Sequence, residues 1–161
     1  MKVLCLGGGP AGLYFAISMK LRDPAHQVTV LERNRANDTF GWGVVLSDDA
    51  LSRMQKNDPK STDAIRGHFA YWDDIAVVHG GHRTVSGGHG FAGIGRKQML
   101  VLLQERAREL GVDMRFETEF DSAGSYRKDY DLVVACDGIN SRVRKEYETT
   151  FRPDIDTRKC K

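Results

Sequence analysis

Gly7, Gly9 and Gly12 follow the order G-x-G-x-x-G within the opening stretch KVLCLGGGPAGLYFAISMK. Residues of this type at this spacing suit the handling of a diphosphate: bare backbone lets the anion approach without meeting a Cβ, and the N–H groups at a helix start offer it donors. In that scheme Gly7 permits the tight turn, Gly9 the approach of the pyrophosphate, and Gly12 close packing of the helix on a sheet. Pro10 opens the helix with its φ already fixed, and Ala11 completes the turn. Glu32 lies 20 residues beyond Gly12, with Arg33 beside it, where a ribose hydroxyl of an adenosine needs an acceptor. The motif alone leaves FAD and NAD equally open.

Such a turn works only between a strand and a helix, and the flanking residues supply both. Val3–Leu6 is a short apolar run of the kind that a parallel sheet covers on both faces. Leu13, Ala16, Ile17 and Leu21 recur at helical spacing until Pro24 forces Asp23 out of helical geometry. The stretch QVTVLE, residues 27–32, reads as a second strand, which completes a βαβ unit with a right-handed crossover.

Further along, periodicity is lost from Asn34 to Ser47, residues 49–56 suit a short helix, and NDPKST reads as a loop. IAVVHGGHRTVSG predicts a hairpin turning at Gly80 and Gly81, an antiparallel insertion at about residues 68–90. Met99, Leu100, Leu103, Ala107 and Leu110 mark one face of a helix that Gly111 would end. VDMRFET alternates like a strand, and YDLVVACDG reads as a buried strand running into an Asp-Gly turn. The expectation is one α/β domain over residues 1–161.

Composition narrows the function classes. The 24 basic and 22 acidic residues are interspersed, so no basic face for nucleic acid is indicated. No apolar stretch approaches membrane-spanning length, and the first apolar run is too short for a secretory signal, so a soluble cytoplasmic protein is expected. Cys5, Cys136 and Cys160 lie far apart with no CxxC pair, which suggests neither a disulfide framework nor a zinc site. No metal site is expected. His79 and His82 flank the predicted hairpin turn and would sit in solvent, whereas His89 falls nearer the cofactor-handling segments.

Two more stretches decide between the dinucleotides. DLVVACDGINSRVRK places Asp137, Gly138, Ser141 and Arg144 in the order of an Asp-Gly fingerprint, and DTFGWGVVLSD puts Gly41, Gly43 and Val44 where backbone could lie flat on a planar heterocycle. With GPAGLYFAISMKLRDP, LERN, GHGFAGIGRKQML and LQERARELGV, they resemble the N-terminal part of the aromatic-ring (group A) flavoprotein monooxygenases. The similarity is greatest to the branch that acts on aryl-CoA thioesters, and extends to the tryptophan-derivative hydroxylase of violacein biosynthesis.

The resemblance implies a Rossmann-like FAD-binding fold of the glutathione-reductase type, with a parallel sheet and a small antiparallel insertion. It implies FAD as cofactor, NADH or NADPH as reductant, and hydroxylation of an aromatic small molecule with O₂ through a flavin hydroperoxide. Self-association is left open. By the same resemblance Gly43, Val44, Asp137 and Gly138 line the cofactor site, and Arg96 reaches the phosphate and ribose region, a role its planar fork of donors suits. No catalytic side chain is assigned.

Members of that family continue into a substrate-covering sheet and a second Gly-Asp motif, which these 161 residues do not contain. The expectation is therefore the FAD-binding part of a larger enzyme, inactive by itself as a hydroxylase. An NAD(P)-dependent oxidoreductase and a non-catalytic dinucleotide-binding domain are the alternatives.

Overall fold

The structure is a computed structural model that describes residues 1–36 and 38–157; Cys160 lies outside the described residues. In chain order they form β1 (Lys2–Leu6), α1 (Pro10–Arg22), β2 (Gln27–Leu31), β3 (Gly43–Leu46), α2 (Asp48–Asn57) and α3 (Pro59–Arg66). Next come β4 (Ala70–Trp72), β5 (Ile75–His79), β6 (His82–Ser86), β7 (Phe91–Gly95) and α4 (Arg96–Glu109). The chain then gives β8 (Asp113–Arg115), a 3₁₀ turn at Gly124–Tyr126, β9 (Leu132–Ala135), α5 (Arg142–Glu146) and α6 (Glu148–Phe151). Two compact units result, one from Met1–Arg35 with Gly111–Lys161, the other from Ala36–Leu110.

The first unit is built on a parallel sheet of order β8-β2-β1-β9. β1 is central because its apolar residues can be covered on both faces: Val3, Leu4, Cys5 and Leu6 have no solvent exposure. Its register runs Leu4↔Thr29 and Cys5↔Val30 on one side, Leu4↔Val133 and Cys5↔Val134 on the other. α1 buries Leu13, Ala16 and Ile17 and packs on β1 and β2. A second cluster of Leu4, Leu6, Leu31, Phe120, Ala123 and Val143 is flanked by Tyr126, Tyr130, Val133 and Tyr147.

Two expectations need correction in this unit. VDMRFET yields only the three-residue β8. β9 is not a buried strand: it lies at the sheet edge, and Leu132, Val133 and Val134 are half-buried.

The second unit holds an antiparallel sheet of order β3-β7-β4 and, as a separate ribbon, the β5–β6 hairpin. The hairpin turns where expected, at Gly80 (φ 57°) and Gly81 (φ 80°), the two positive φ angles that a type I′ turn demands. α4 buries Met99, Leu100, Leu103, Gln104 and Ala107, packs on β7 and β3, and is followed by Gly111 at φ 76°.

The segment NDPKST is not a loop. Asp58 precedes α3, Pro59 occupies its first turn, and the Ser61 hydroxyl donates to Asp58 Oδ2 at 2.6 Å. Proline is welcome at a helix start because the N–H it lacks would have no partner there. β3 and β7, rich in glycine, also fall in segments that carried no strand signal. No helix among the described residues is long and apolar enough to cross a membrane.

Candidate nucleotide site

The glycine-rich turn joins β1 to α1, and its four glycines are there for different reasons. Gly7 sits at φ 113°, and a Cβ on it would lie 2.3 Å from the carbonyl oxygen of Cys136. A Cβ on Gly12 would lie 2.0 Å from the carbonyl oxygen of Gly7. A Cβ on Gly8 would come within 2.8 Å of Glu32 Cβ. Packing therefore accounts for Gly7, Gly8 and Gly12. Gly9 is different: its φ of −72° and ψ of 178° suit any residue, and a Cβ there would meet nothing within 4 Å.

The space over Gly9 is open, and the fold does not call for a glycine beneath it. It faces the start of α1, with Pro10 and Ala11 in the first turn, no side-chain cap and no acidic residue. Free amide donors, positive helix-end potential and a missing Cβ fit a diphosphate.

Glu32 follows β2 directly. Its Oε2 accepts from the Gly8 N–H at 2.7 Å; its Oε1 accepts from the Asn34 N–H at 2.8 Å and the Asn34 side-chain amide at 2.7 Å. The carboxylate is thus stretched from the glycine turn to the end of the strand. Arg33 points into solvent. Gly8 and Asn34, which hold the Glu32 carboxylate, are candidate site residues that spacing rules pass over; the available signals are the run of three consecutive glycines and an asparagine two residues after an acid, able to fold back on it.

Asp137 and Gly138 lie in the same unit, just past β9. Gly138 has φ 81°. Asp137 accepts from the Ser141 hydroxyl at 2.6 Å and the Val143 N–H at 3.2 Å, the Ser141 oxygen accepts in turn from the Arg144 N–H at 2.9 Å, and the Arg144 guanidinium donates to the carbonyl of Ile139. All four fingerprint residues belong to one closed turn. Cys136, which leads into it, is the residue that walls Gly7.

Burial disfavours the thiolate at Cys5 and Cys136. Burial, reinforced by neighbouring Cys136, pushes Cys5 up to about 12, and burial also raises Cys136.

In the second unit Gly43 pairs with Gly95 and Val44 with Ile94 across β3 and β7. A Cβ on Gly43 would stand 3.2 Å from the carbonyl oxygen of Ile94, so glycine lets these strands close up. Gly41, at φ 104°, lies against the stem of Arg96, whose N–H donates to the carbonyl of Trp42 at 3.1 Å. Trp42 is fully exposed.

Arg96 begins α4, where the helix end repels a cation, and its Nε is buried without a hydrogen-bond partner. Thr39 Oγ1 is the other such atom among the described side chains. An unmet Arg96 donor whose stem lies beside Gly41 fits a ligand rich in acceptor oxygens.

The histidines do not converge. His79 and His82 face each other across the exposed hairpin, and His89 meets the Ser86 hydroxyl at 2.8 Å and stacks on Phe91. Among the described residues no cluster of His, Cys, Asp or Glu could hold a metal.

No known family model matches the chain. Over its whole length it is 47% identical to a salicyloyl-CoA 5-hydroxylase from a Streptomyces species, of which it covers 31%. It is 31% identical to protodeoxyviolaceinate monooxygenase from Chromobacterium violaceum over 97% of the chain and 42% of that protein. It thus spans less than half the length of these relatives.

Among solved structures, the tetrameric form of 2-methyl-3-hydroxypyridine-5-carboxylic acid oxygenase superposes with a TM-score of 0.76 at 24% identity, over 89% of this chain and 41% of that one. The resemblance to aromatic-ring flavoprotein monooxygenases is borne out along the whole chain, and its fold is the Rossmann-like α/β fold of those enzymes.

Proposed function

We propose that this chain is the FAD-binding part of an NAD(P)H-dependent flavoprotein monooxygenase that hydroxylates an aromatic small molecule, an aryl-CoA thioester or a tryptophan-like compound, with O₂. The observation that carries the nucleotide half is Gly9, a glycine that neither backbone geometry nor packing requires, at an uncapped helix start. The activity class follows the relatives named salicyloyl-CoA 5-hydroxylase and protodeoxyviolaceinate monooxygenase. A cytoplasmic location belongs to the same reading.

The chemistry supplied by bound FAD is reduction by NADH or NADPH and activation of O₂. The chain's own residues bind and orient. Gly9, Pro10, Ala11 and the first turn of α1 would hold the diphosphate, with Gly7 and Gly12 keeping that turn tight. Glu32 would accept from the adenosine ribose, with Arg33 at its rim.

Asp137 and Gly138 would shape the wall behind the glycine turn. In the second unit Gly43 and Val44 would offer flat backbone to the flavin, and Arg96 a cation to the phosphates. Residues 1–161 would act together as this FAD-binding domain, with the insertion at about 68–90 carrying the hairpin.

Titrating purified chain with FAD tests the reading: one equivalent is expected to bind, with a shifted flavin absorption band and quenched fluorescence. A chain that melts cooperatively yet binds neither FAD nor ADP at millimolar concentration would overturn it.

A further inference from the structure

An ionised carboxylate offers about four acceptor positions, two on each oxygen. On Glu32 three are already taken. Oε1 receives both the Asn34 N–H, at 2.8 Å, and the Asn34 side-chain amide, at 2.7 Å; Oε2 receives only the Gly8 N–H, at 2.7 Å. The orientation of the Asn34 amide is fixed by chemistry, since only its NH₂ end can face a carboxylate.

The backbone around this pair is held on its other side as well. Glu32 N–H donates to the carbonyl of Arg115 at 2.9 Å, Thr118 N–H to that of Glu32 at 2.9 Å, and Glu117 N–H to that of Asn34 at 3.2 Å. Glu117 reaches Asn34 from φ 51°, a left-handed conformation that side-chain-bearing residues avoid. The turn after β8 accepts local strain and, with it, pins the residue that pins Glu32.

We propose that Asn34 is a positioning residue of the nucleotide site: by saturating Oε1 it leaves Glu32 a single acceptor position, on Oε2, so that the carboxylate reads one ribose hydroxyl and not two. The inference rests on the FAD-binding reading and adds to it a residue that the glycine and acid spacing does not name. The ligand chemistry is that of an adenosine diphosphate moiety with a free ribose diol.

Calorimetric titration of the purified chain with ADP, 2′-deoxy-ADP and 3′-deoxy-ADP, repeated on Asn34→Ala, Asn34→Ser and Glu32→Gln, tests it. One deoxy analogue is expected to bind wild type about tenfold more weakly than ADP, the loss of one charge-assisted hydrogen bond, and the other to match ADP. Asn34→Ala should weaken ADP about tenfold and abolish the difference between the analogues. Asn34→Ser, which restores a donor, should recover part of it. The ratio between analogues is read within one sample, so a loss of folded protein does not mimic it.

If both analogues lose affinity equally in wild type, or if Asn34→Ala keeps both the ADP affinity and the ratio while Glu32→Gln weakens binding, the role of Asn34 is overturned and the nucleotide site stands. If wild type binds neither ADP nor FAD, the site reading fails and the role of Asn34 fails with it.

Discussion

Arg106 grips Asp58 through two parallel hydrogen bonds, Nε to Oδ2 at 2.9 Å and Nη2 to Oδ1 at 3.0 Å, and so ties α4 to the start of α3. Asp58 is 1% exposed, and Ser61 occupies a further position on its Oδ2. Removing one partner strands a buried charge. Asp58→Ala or Arg106→Ala should cost about 3–5 kcal/mol in urea unfolding, whereas the paired change Asp58→Leu with Arg106→Met should recover most of that loss. Equal losses from the double and single variants would contradict this.

The same pair makes stability depend on acid. Burial alone would raise the Asp58 carboxyl, but hydrogen bonds from Arg106 and Ser61, with the Arg106 charge, outweigh it and hold the group below its ordinary value of 3.8. The unfolded chain therefore takes up this proton at a higher pH than the folded chain does. The stabilisation is complete above about pH 4 and fades as pH falls through the lower folded value. Glu109, lowered by hydrogen bonds from Lys60 and then Arg106, acts in the same sense. Urea midpoints from about pH 6 to pH 3 should fall less steeply for Asp58→Asn than for wild type.

The glycines of the first turn separate folding from binding. Gly12→Ala meets the Gly7 carbonyl and Gly7→Ala the Cys136 carbonyl, so each should cost about 3 kcal/mol or more. Gly9→Ala meets nothing, and should change stability by less than about 1 kcal/mol while weakening ADP and FAD at least about tenfold. Unfolding curves and titrations on the three variants check this; full nucleotide affinity in Gly9→Ala would remove the case for Gly9.

Arg96 carries the opposite signature. Its Nε has no partner, and its charge sits at the wrong end of α4. Arg96→Met keeps the stem beside Gly41 and should raise the stability of the nucleotide-free chain by about 1 kcal/mol while lowering FAD affinity about tenfold. Lower stability without FAD would show that Arg96 serves the fold.

Much of this was legible in the residues. The opening β1-α1-β2 unit was readable because an apolar run, four glycines, a proline and helical spacing all agree, and the hairpin because a Gly-Gly pair leaves few other options. α3 was missed because Asp-Pro reads equally as a loop or as a helix start; which one holds depends on Ser61 and Arg106 reaching Asp58. β3 and β7 were missed because glycine lowers strand propensity, although here it lets Gly43 approach Ile94.

β9 carries the composition of a buried strand but lies at an edge, and composition does not say where in a sheet a strand will sit. In the proposed site, Gly7, Gly9, Gly12 and Glu32 stand out by spacing. The contributions of Gly8 and Asn34 depend on the rotamer of the Glu32 side chain, which spacing does not encode.

The obstacle facing a side chain at position 7 is the carbonyl oxygen of Cys136, which is main chain and therefore common to every amino acid that position 136 could carry. No exchange at 136 can carve out the missing room. A genetic screen for suppressors of a damaged Gly7 should accordingly return same-site revertants to glycine and no compensating partner at 136, which makes this position a mutational dead end rather than one half of a co-adapted pair.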